Sequence, residues 1–183
     1  MDVDATSTED GPTLVMAMPR RELWAVSGLE RQVQLEVLES IEHESWFATR
    51  EAIAGDVETK EVRIGLVLHR EDQVLVHEDG VILHACAVPP EVERLAPGLR
   101  GLREFARLAA RRLLGTQEED LRLLGYLNED RLEEAAGFLF LVYTVQVAPG
   151  CAAPLQTSWV GTARLGDLTL DPLSALFRDE FVA

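Results

Sequence analysis

Four arginines recur at intervals of three and four residues in one segment of this 183-residue chain. They are Arg100, Arg103, Arg107 and Arg111. An α-helix places this spacing in one stripe about 80° wide, with Glu104 at its edge. Because each guanidinium is a planar bidentate fork, these five residues form a candidate binding site for carboxylate or phosphate groups. A solvated helix face with local Glu–Arg pairing would have the same pattern.

Patterns typical of metal or cofactor chemistry are missing from the chain. It has no G-x-x-x-x-G-K-[ST], G-x-G-x-x-G or H-E-x-x-H motif. His69, His77 and His84 fall on neighbouring predicted strands and could converge, but they lack metal-ligand spacing. Cys86 and Cys151 are isolated, which is typical of reduced cysteines in a cytosolic core. A stripe of positive charge also repels Mg²⁺ or Mn²⁺. We therefore predict no catalytic residue, no metal and no cofactor.

The charge balance limits the classes of partner. The chain has 32 acidic and 17 basic residues and a net charge of −15. It should repel both the phosphate backbone of nucleic acids and anionic membranes. No apolar run approaches the roughly 20 residues that span a bilayer, and the start of the chain lacks a signal-peptide pattern. We expect a cytoplasmic protein that binds neither nucleic acid nor membrane. Since Lys60 is the one lysine, the composition suggests a GC-rich bacterial genome.

The chain is expected to form one domain after a short tail. Residues 1–12 are small, polar and acidic, which predicts a disordered tail. From residue 13 to residue 183 no stretch has the composition of an interdomain linker, and this length fits a single domain.

Hydrophobic periodicity predicts strands and helices in alternation. Short apolar runs predict strands at Leu14–Met18, Glu22–Val26, Val62–His69, Gln73–His77, Val81–Val88, Leu121–Leu127, Gly137–Ala148 and Gln156–Thr162. Helical spacing predicts helices at Leu29–Ile41 and Leu99–Leu114, and Asp171-Pro172 begins a third that ends near Phe181. Gly137–Ala148 is the longest apolar run, which predicts a central strand buried on both faces. These elements predict a layered α+β domain.

This order of elements resembles that of the Nudix, or MutT-like, family. The matching segments are Val62–Glu78 (paired strands), Gly80–Gly115 (strand, loop and Nudix helix), Leu121–Gly150, the Trp-containing strand Thr157–Val160, and the closing helix Asp171–Phe181. Met18–Arg20, Phe47–Arg50 and Lys60 are similar to the phosphoesterase-like branch of MutT-type proteins. The resemblance implies an α/β/α sandwich with a mixed central sheet.

The chain departs from the family at its metal-binding motif. The Nudix box reads G-x5-E-x7-R-E-U-x-E-E-x-G-U, and its glutamates bind the divalent ions that activate water. With its last glycine at Gly115, the R-E pair becomes Leu108-Ala109 and the E-E pair becomes Arg112-Leu113. A second register keeps Gly98, Glu104 and Arg112 but places Leu113, Thr116 and Gln117 at the three later glutamate positions. Neither register keeps the glutamates, so the resemblance implies that metal chemistry is lost.

Three functions are compatible with these residues. We favour a catalytically degenerate Nudix-like domain that binds a nucleotide, another phosphorylated metabolite or a protein partner, as a ligand-binding or regulatory module. The first alternative is a metal-dependent hydrolase of nucleoside diphosphate derivatives with a relocated site. Its ligands would come from Glu104, Glu118, Glu119, Asp120, Glu133 and Glu134. The second alternative is a structural subunit of a protein complex.

Overall fold

A computed structural model describes residues 12–23, 28–31, 34–115 and 120–181. The strands are β1 (Leu14–Pro19), β2 (Gly28–Glu30), β3 (Trp46–Thr49), β4 (Thr59–Arg70), β5 (Gln73–His77), β6 (His84–Ala87), β7 (Asp120–Asn128), β8 (Phe138–Gln146) and β9 (Thr157–Gly161). The helices are α1 (Leu35–Glu44), α2 (Arg50–Ile53), α3 (Val92–Leu95), α4 (Gly98–Leu114) and α5 (Pro172–Phe181). Short 3-10 turns occupy Arg21–Leu23 and Thr162–Asp167. Within these ranges no helix is both long and apolar enough to cross a bilayer.

The strands form one mixed sheet around β4. Its main order is β2-β7-β8-β4-β1-β3. β4 pairs with β8 in parallel, from Glu61 opposite Phe138 to His69 opposite Gln146. Along its other edge, β4 pairs with β1, β6 and β5 in antiparallel fashion, and β5 also pairs with β9. The predicted α+β fold with a mixed central sheet is therefore confirmed.

Alternation along β8 divides the core into two layers. Leu139, Leu141 and Tyr143 pack in one buried cluster, under α1 and α4, whereas Phe140 and Val142 pack in a second cluster with Leu165 of the second 3-10 turn and Phe177 of α5. Successive side chains of a strand point to opposite faces, so a strand buried on both faces must be apolar throughout. The predicted central strand is β8, and the helices on both faces complete the α/β/α sandwich.

Helix ends follow local signals in the sequence. α4 ends at Gly115, which adopts φ 66° and donates its N–H to the carbonyl of Arg111. α5 begins after Asp171, whose Oδ1 accepts the N–H groups of Leu173 and Ser174 at 3.1 and 3.3 Å. The predicted helix Leu99–Leu114 and the predicted start of the C-terminal helix are both confirmed.

The first third of the chain departs from the prediction. The strand expected at Glu22–Val26 is wrong at its first two residues, because Arg21–Leu23 is a 3-10 turn, and the next described strand is Gly28–Glu30. Residues 24–27, and the tail to residue 11, lie outside the described residues. The helix expected at Leu29–Ile41 starts only at Leu35, since β2 pairs with the end of β7 and Gly28 adopts φ 96°, which a helix cannot continue. Pairing with a distant strand has overridden the local period.

Three short elements were not expected from the sequence. β3 pairs with β1 and forms the edge of the sheet, and α2 follows it directly. α3, at Val92–Leu95, is one helical turn inside the segment expected to be a loop. Segments of about four residues are too short for a periodic pattern to identify.

A buried lysine connects the β7–β8 turn to the sheet. Lys60 is fully buried, and its Nζ donates to Oδ1 of Asp130 at 2.5 Å and to the carbonyl of Ala136. Burial lowers the pKa of Lys60, although the hydrogen bond to Asp130 opposes that shift. Burial alone would raise the pKa of Asp130, but hydrogen bonds from Lys60 and Arg20 outweigh it and lower the pKa. The turn is thus attached to the first residues of β4.

Gly55 and Gly80 have nearly the same positive φ angle but different surroundings. Comparing them tests how closely the turn after β5 packs against the segment before α5. Gly80 has φ 78°, and an added Cβ would lie 2.3 Å from the carbonyl oxygen of Thr169. Gly55 has φ 77° but no atom within 4 Å of an added Cβ. We expect Gly55→Ala to lower the free energy of unfolding by about 1 kcal/mol, the cost of the left-handed conformation. Gly80→Ala should cost roughly 2 kcal/mol more, because the backbone must also shift.

Urea denaturation of the two variants measures this difference. Equal losses for Gly55→Ala and Gly80→Ala would contradict the close approach of Gly80 to the segment before α5.

Candidate functional site

Helix α4 positions the residues that the sequence analysis singled out. Leu102, Phe105, Ala106 and Ala110 are buried against the sheet, and Ala109 and Leu113 pack at the edge of the same cluster. These residues form the apolar face of the helix. The remaining sides of α4 border two concave features, one along its first half and one along its second half.

The first feature is an open groove of about 580 Å³ between α4 and the strands β7 and β8. Its lining includes Arg100 and Arg103 of α4, Asp120, Leu121 and Arg122 of β7, and Tyr143 of β8. We call it the arginine groove. Arg122 was not among the predicted residues. It borders the groove from β7, but it pairs with Thr144, so its side chain lies on the face of the sheet opposite α4, beside Asp120 and His69.

The charges in the arginine groove are mainly positive. Arg122 pairs with Asp120 at 2.5 Å, whereas Arg100 and Arg103 form no hydrogen bond or ion pair with any described residue. Burial raises the pKa of Tyr143 to about 12, although nearby Arg103 opposes the shift. Tyr143 is therefore a neutral phenol at pH 7, and the groove has two unpaired cations above an uncharged floor.

The rest of the predicted stripe lies outside this groove. Arg107 donates from Nη1 to Oε1 of Glu104 at 3.1 Å, which is the local pairing that the sequence left as an alternative. Arg111 is exposed and is not among the groove residues. The structure thus brings together Arg100 and Arg103 and separates them from the other three predicted residues.

The second feature is a small pocket of about 100 Å³ under the second half of α4. We call it the helix pocket. Phe105, Ala109, Arg112 and Leu113 of α4 line it, together with Leu66 of β4 and the strand β6. None of the described residues that line it is acidic. The spacing of Ala109 and Leu113 predicts only an apolar helix face, and no pattern in the sequence indicates this cavity.

The polar groups of the helix pocket differ in charge. Arg50 donates to both carboxylate oxygens of Glu61, at 3.2 and 3.4 Å, but Arg63 donates to the same carboxylate at 2.8 Å, so the charge of Arg50 is only partly compensated. Burial lowers the pKa of His84 to about 4, helped by nearby His77, so the imidazole is neutral at pH 7. Arg112 is exposed and forms no hydrogen bond or ion pair with the described residues. It is the unmatched charge at the pocket.

The described residues bring together no metal site. No three of their His, Cys, Asp and Glu side chains lie close enough to hold an ion. Asp120 begins β7 and Glu133 and Glu134 follow its other end, so the strand separates them by roughly 25 Å. Glu118 and Glu119 lie outside the described residues. The relocated hydrolase site therefore cannot combine Asp120 with Glu133 or Glu134.

Two of the three histidines on neighbouring strands do converge. His77 and His84 interact electrostatically, whereas the charged neighbours of His69 are Arg122 and Asp120. Cys86 and Cys151 form no disulfide with each other, and both are half-buried.

Comparisons with known proteins identify the fold. No protein-family model and no curated protein matches the sequence. The solved structure of Tm1382, described as a candidate Nudix hydrolase, superposes with a TM-score of 0.79 at 14% identity, over 92% of this chain and 98% of that one. The chain has a Nudix-like fold. This confirms the resemblance found in the order of the elements.

Two further matches are looser. An oxidoreductase candidate from Sinorhizobium meliloti 1021 gives a TM-score of 0.48 at 21% identity, over 74% of this chain and 44% of that one. A solved structure of MutT, from a study of Aliivibrio salmonicida and Vibrio cholerae, superposes with a TM-score of 0.47 at 11% identity. The match covers 66% of this chain and 94% of that one. These scores are too low to show a shared fold by themselves.

Within the Nudix-like fold, α4 corresponds to the segment that the resemblance assigned to the Nudix helix. Because α4 ends at Gly115, the register anchored there can be placed in full on described residues. It puts Ala109, Arg112 and Leu113, the residues at the glutamate positions, in the helix pocket. The second register needs Thr116 and Gln117, which lie outside the described residues.

His84 should give the stability a pH dependence. The unfolded chain takes up a proton near the ordinary pKa of 6.5, but the folded protein does so only near pH 4. Stability is therefore lost as the pH falls through this window, by about 1 kcal/mol between pH 7 and pH 5.5. In His84→Leu this part of the loss should disappear.

Urea midpoints of the wild type and of His84→Leu at the two pH values check the expectation. Carboxylates with ordinary pKa values near 4 titrate little in this range. If both proteins lost the same stability, the imidazole of His84 would not be held neutral by burial.

Proposed function

We propose that this Nudix-like domain binds a phosphorylated small molecule in the arginine groove, without a metal ion. The observation that carries the proposal is that Arg100 and Arg103 of α4, neither of them paired with a described residue, line one cavity over Leu121 and Tyr143. Guanidinium groups bind phosphate oxygens through parallel hydrogen bonds, and their charge needs no metal to neutralise a phosphate.

The size and floor of the groove fit a metabolite. Its volume of about 580 Å³ lies within the roughly 300–1,000 Å³ typical of small-molecule sites. Leu121 and Tyr143 are buried beneath it, and Leu123 is partly exposed. Such a surface can accept the planar or apolar body of a ligand while the arginines hold its phosphate groups.

Several residues argue against metal-dependent hydrolysis. The positions where the resemblance expects metal-binding glutamates hold Ala109, Arg112 and Leu113. Two described carboxylates beside the groove are paired with arginines, Asp120 with Arg122 and Glu104 with Arg107. A divalent cation here would have to displace these partners against the field of nearby guanidinium groups. The proposal therefore includes no hydrolase activity.

The net charge favours a small ligand over a macromolecule. At −15 the protein repels an extended polyanion over most of its surface. A metabolite that fits inside the groove meets mainly the local arginines, since more distant exposed charges are screened within about 10 Å at moderate salt. A nucleotide or another phosphorylated metabolite is the class that suits this balance.

A ligand screen with matched variants tests the proposal. Nucleoside diphosphate derivatives are added to the protein with Mg²⁺ and, separately, with EDTA, and thermal unfolding and calorimetric affinity are measured. A ligand at about 100 times its Kd should add about 2.7 kcal/mol of stability in both conditions. Arg103→Gln should weaken binding by roughly tenfold or more, because it removes a charged hydrogen-bond donor from the groove.

Arg111→Gln is the matched control, since Arg111 belongs to the same stripe but does not line the groove. A thermal shift that requires Mg²⁺ would contradict the metal-free proposal and favour the hydrolase alternative. The absence of any shift would overturn small-molecule binding. Light scattering would then show whether the protein forms a complex with another chain.

A further inference from the structure

The helix pocket has a size and charge that the arginine groove does not share. We propose that it is a second binding site, specific for a small monocarboxylic acid with an apolar body. The proposal rests on three properties of the pocket, namely its volume, its single unmatched cation and its apolar lining, and it does not depend on the function proposed for the groove.

The volume sets the size of the ligand. The pocket holds about 100 Å³, and one water molecule needs about 10–15 Å³ in the same measure. The space therefore fits a ligand of roughly seven to ten non-hydrogen atoms, such as a short-chain fatty acid or benzoate. A nucleotide is too large for it, in contrast to the groove of about 580 Å³.

The charges set the ionic state of the ligand. Arg50 is held by Glu61, which it shares with Arg63, and His84 is neutral at pH 7. Arg112 therefore contributes one uncompensated positive charge, and no lining residue among those described is acidic. A carboxylate matches one guanidinium fork in both charge and geometry. A phosphate dianion would bring twice the charge of a carboxylate against these apolar side chains, which is costly.

The lining fits a hydrocarbon body. Leu66 and Phe105 are buried side chains, and Leu113 is partly buried beside them. The small side chain of Ala109 leaves room between them and Arg112, one turn further along α4. A ligand that enters with its carboxylate at Arg112 would place its apolar end against these residues and remove them from water.

Calorimetric titration of the full chain with sodium benzoate and with sodium butyrate tests the inference, with sodium chloride as the ionic-strength control. Ligands of this size should bind with Kd values of roughly millimolar order. Arg112→Gln should weaken benzoate binding by about tenfold or more. Because Arg112 is exposed, this variant should fold like the wild type. Ala109→Leu should abolish binding by filling the pocket, without lowering the Tm of the ligand-free protein.

Arg103→Gln separates this site from the groove. It should leave benzoate binding unchanged, and Arg112→Gln should leave the binding of phosphorylated ligands unchanged. Equal affinity of benzoate for the wild type and for Arg112→Gln would overturn the inference, as would no heat beyond the chloride control. Inorganic phosphate that competes with benzoate at equal concentration would also overturn it, since the site would then select any anion rather than a carboxylate.

Discussion

The parallel pairing of β4 with β8 is the constraint on which the rest of the structure depends. It runs over nine residue pairs, and both strands are buried on both faces. Parallel neighbours need a long crossover, which here carries α4 to one face of the sheet, while α5 covers the other. Lys60 immediately precedes the first pair, and its bonds to Asp130 and Ala136 fix the turn that leads into β8. A shift of register would expose that ammonium or leave it buried without partners, at a cost of several kcal/mol.

The position of α4 over this sheet creates both concave features. Its first half faces β7 and β8, where the floor is Leu121 and Tyr143, and its second half faces β4 and β6. One amphipathic helix therefore has an open, cationic cavity near one end and a small, mostly apolar one near the other. The two sites share a support but no lining residue, so a substitution in one should leave the other intact.

Elements determined by their own segment could be predicted from the sequence, whereas elements determined by pairing with a distant strand could not. α4 was predictable because its apolar period and Gly115 lie within the segment itself. The arginine groove was only half predictable, because Leu121 and Tyr143 reach its floor through the β7–β8 register, which pairs Leu123 with Tyr143. β2 was missed for the same reason: three residues become a strand only because β7 lies beside them, where Gly125 allows a close approach to Glu30. Short edge elements depend on partners that a local pattern does not contain.

The helix pocket depends on the sign of the charges along the last turns of α4. Three glutamates at positions 109, 112 and 113 would repel one another unless a cation held them, and they would lie near the negative end of the helix dipole. Ala109 and Leu113 instead pack beside the core, and Arg112 places a positive charge at that end, where it is favourable. This arrangement stabilises the helix without an ion. Because the same residues cannot attract both a divalent cation and a carboxylate, it also makes the pocket selective for an anion.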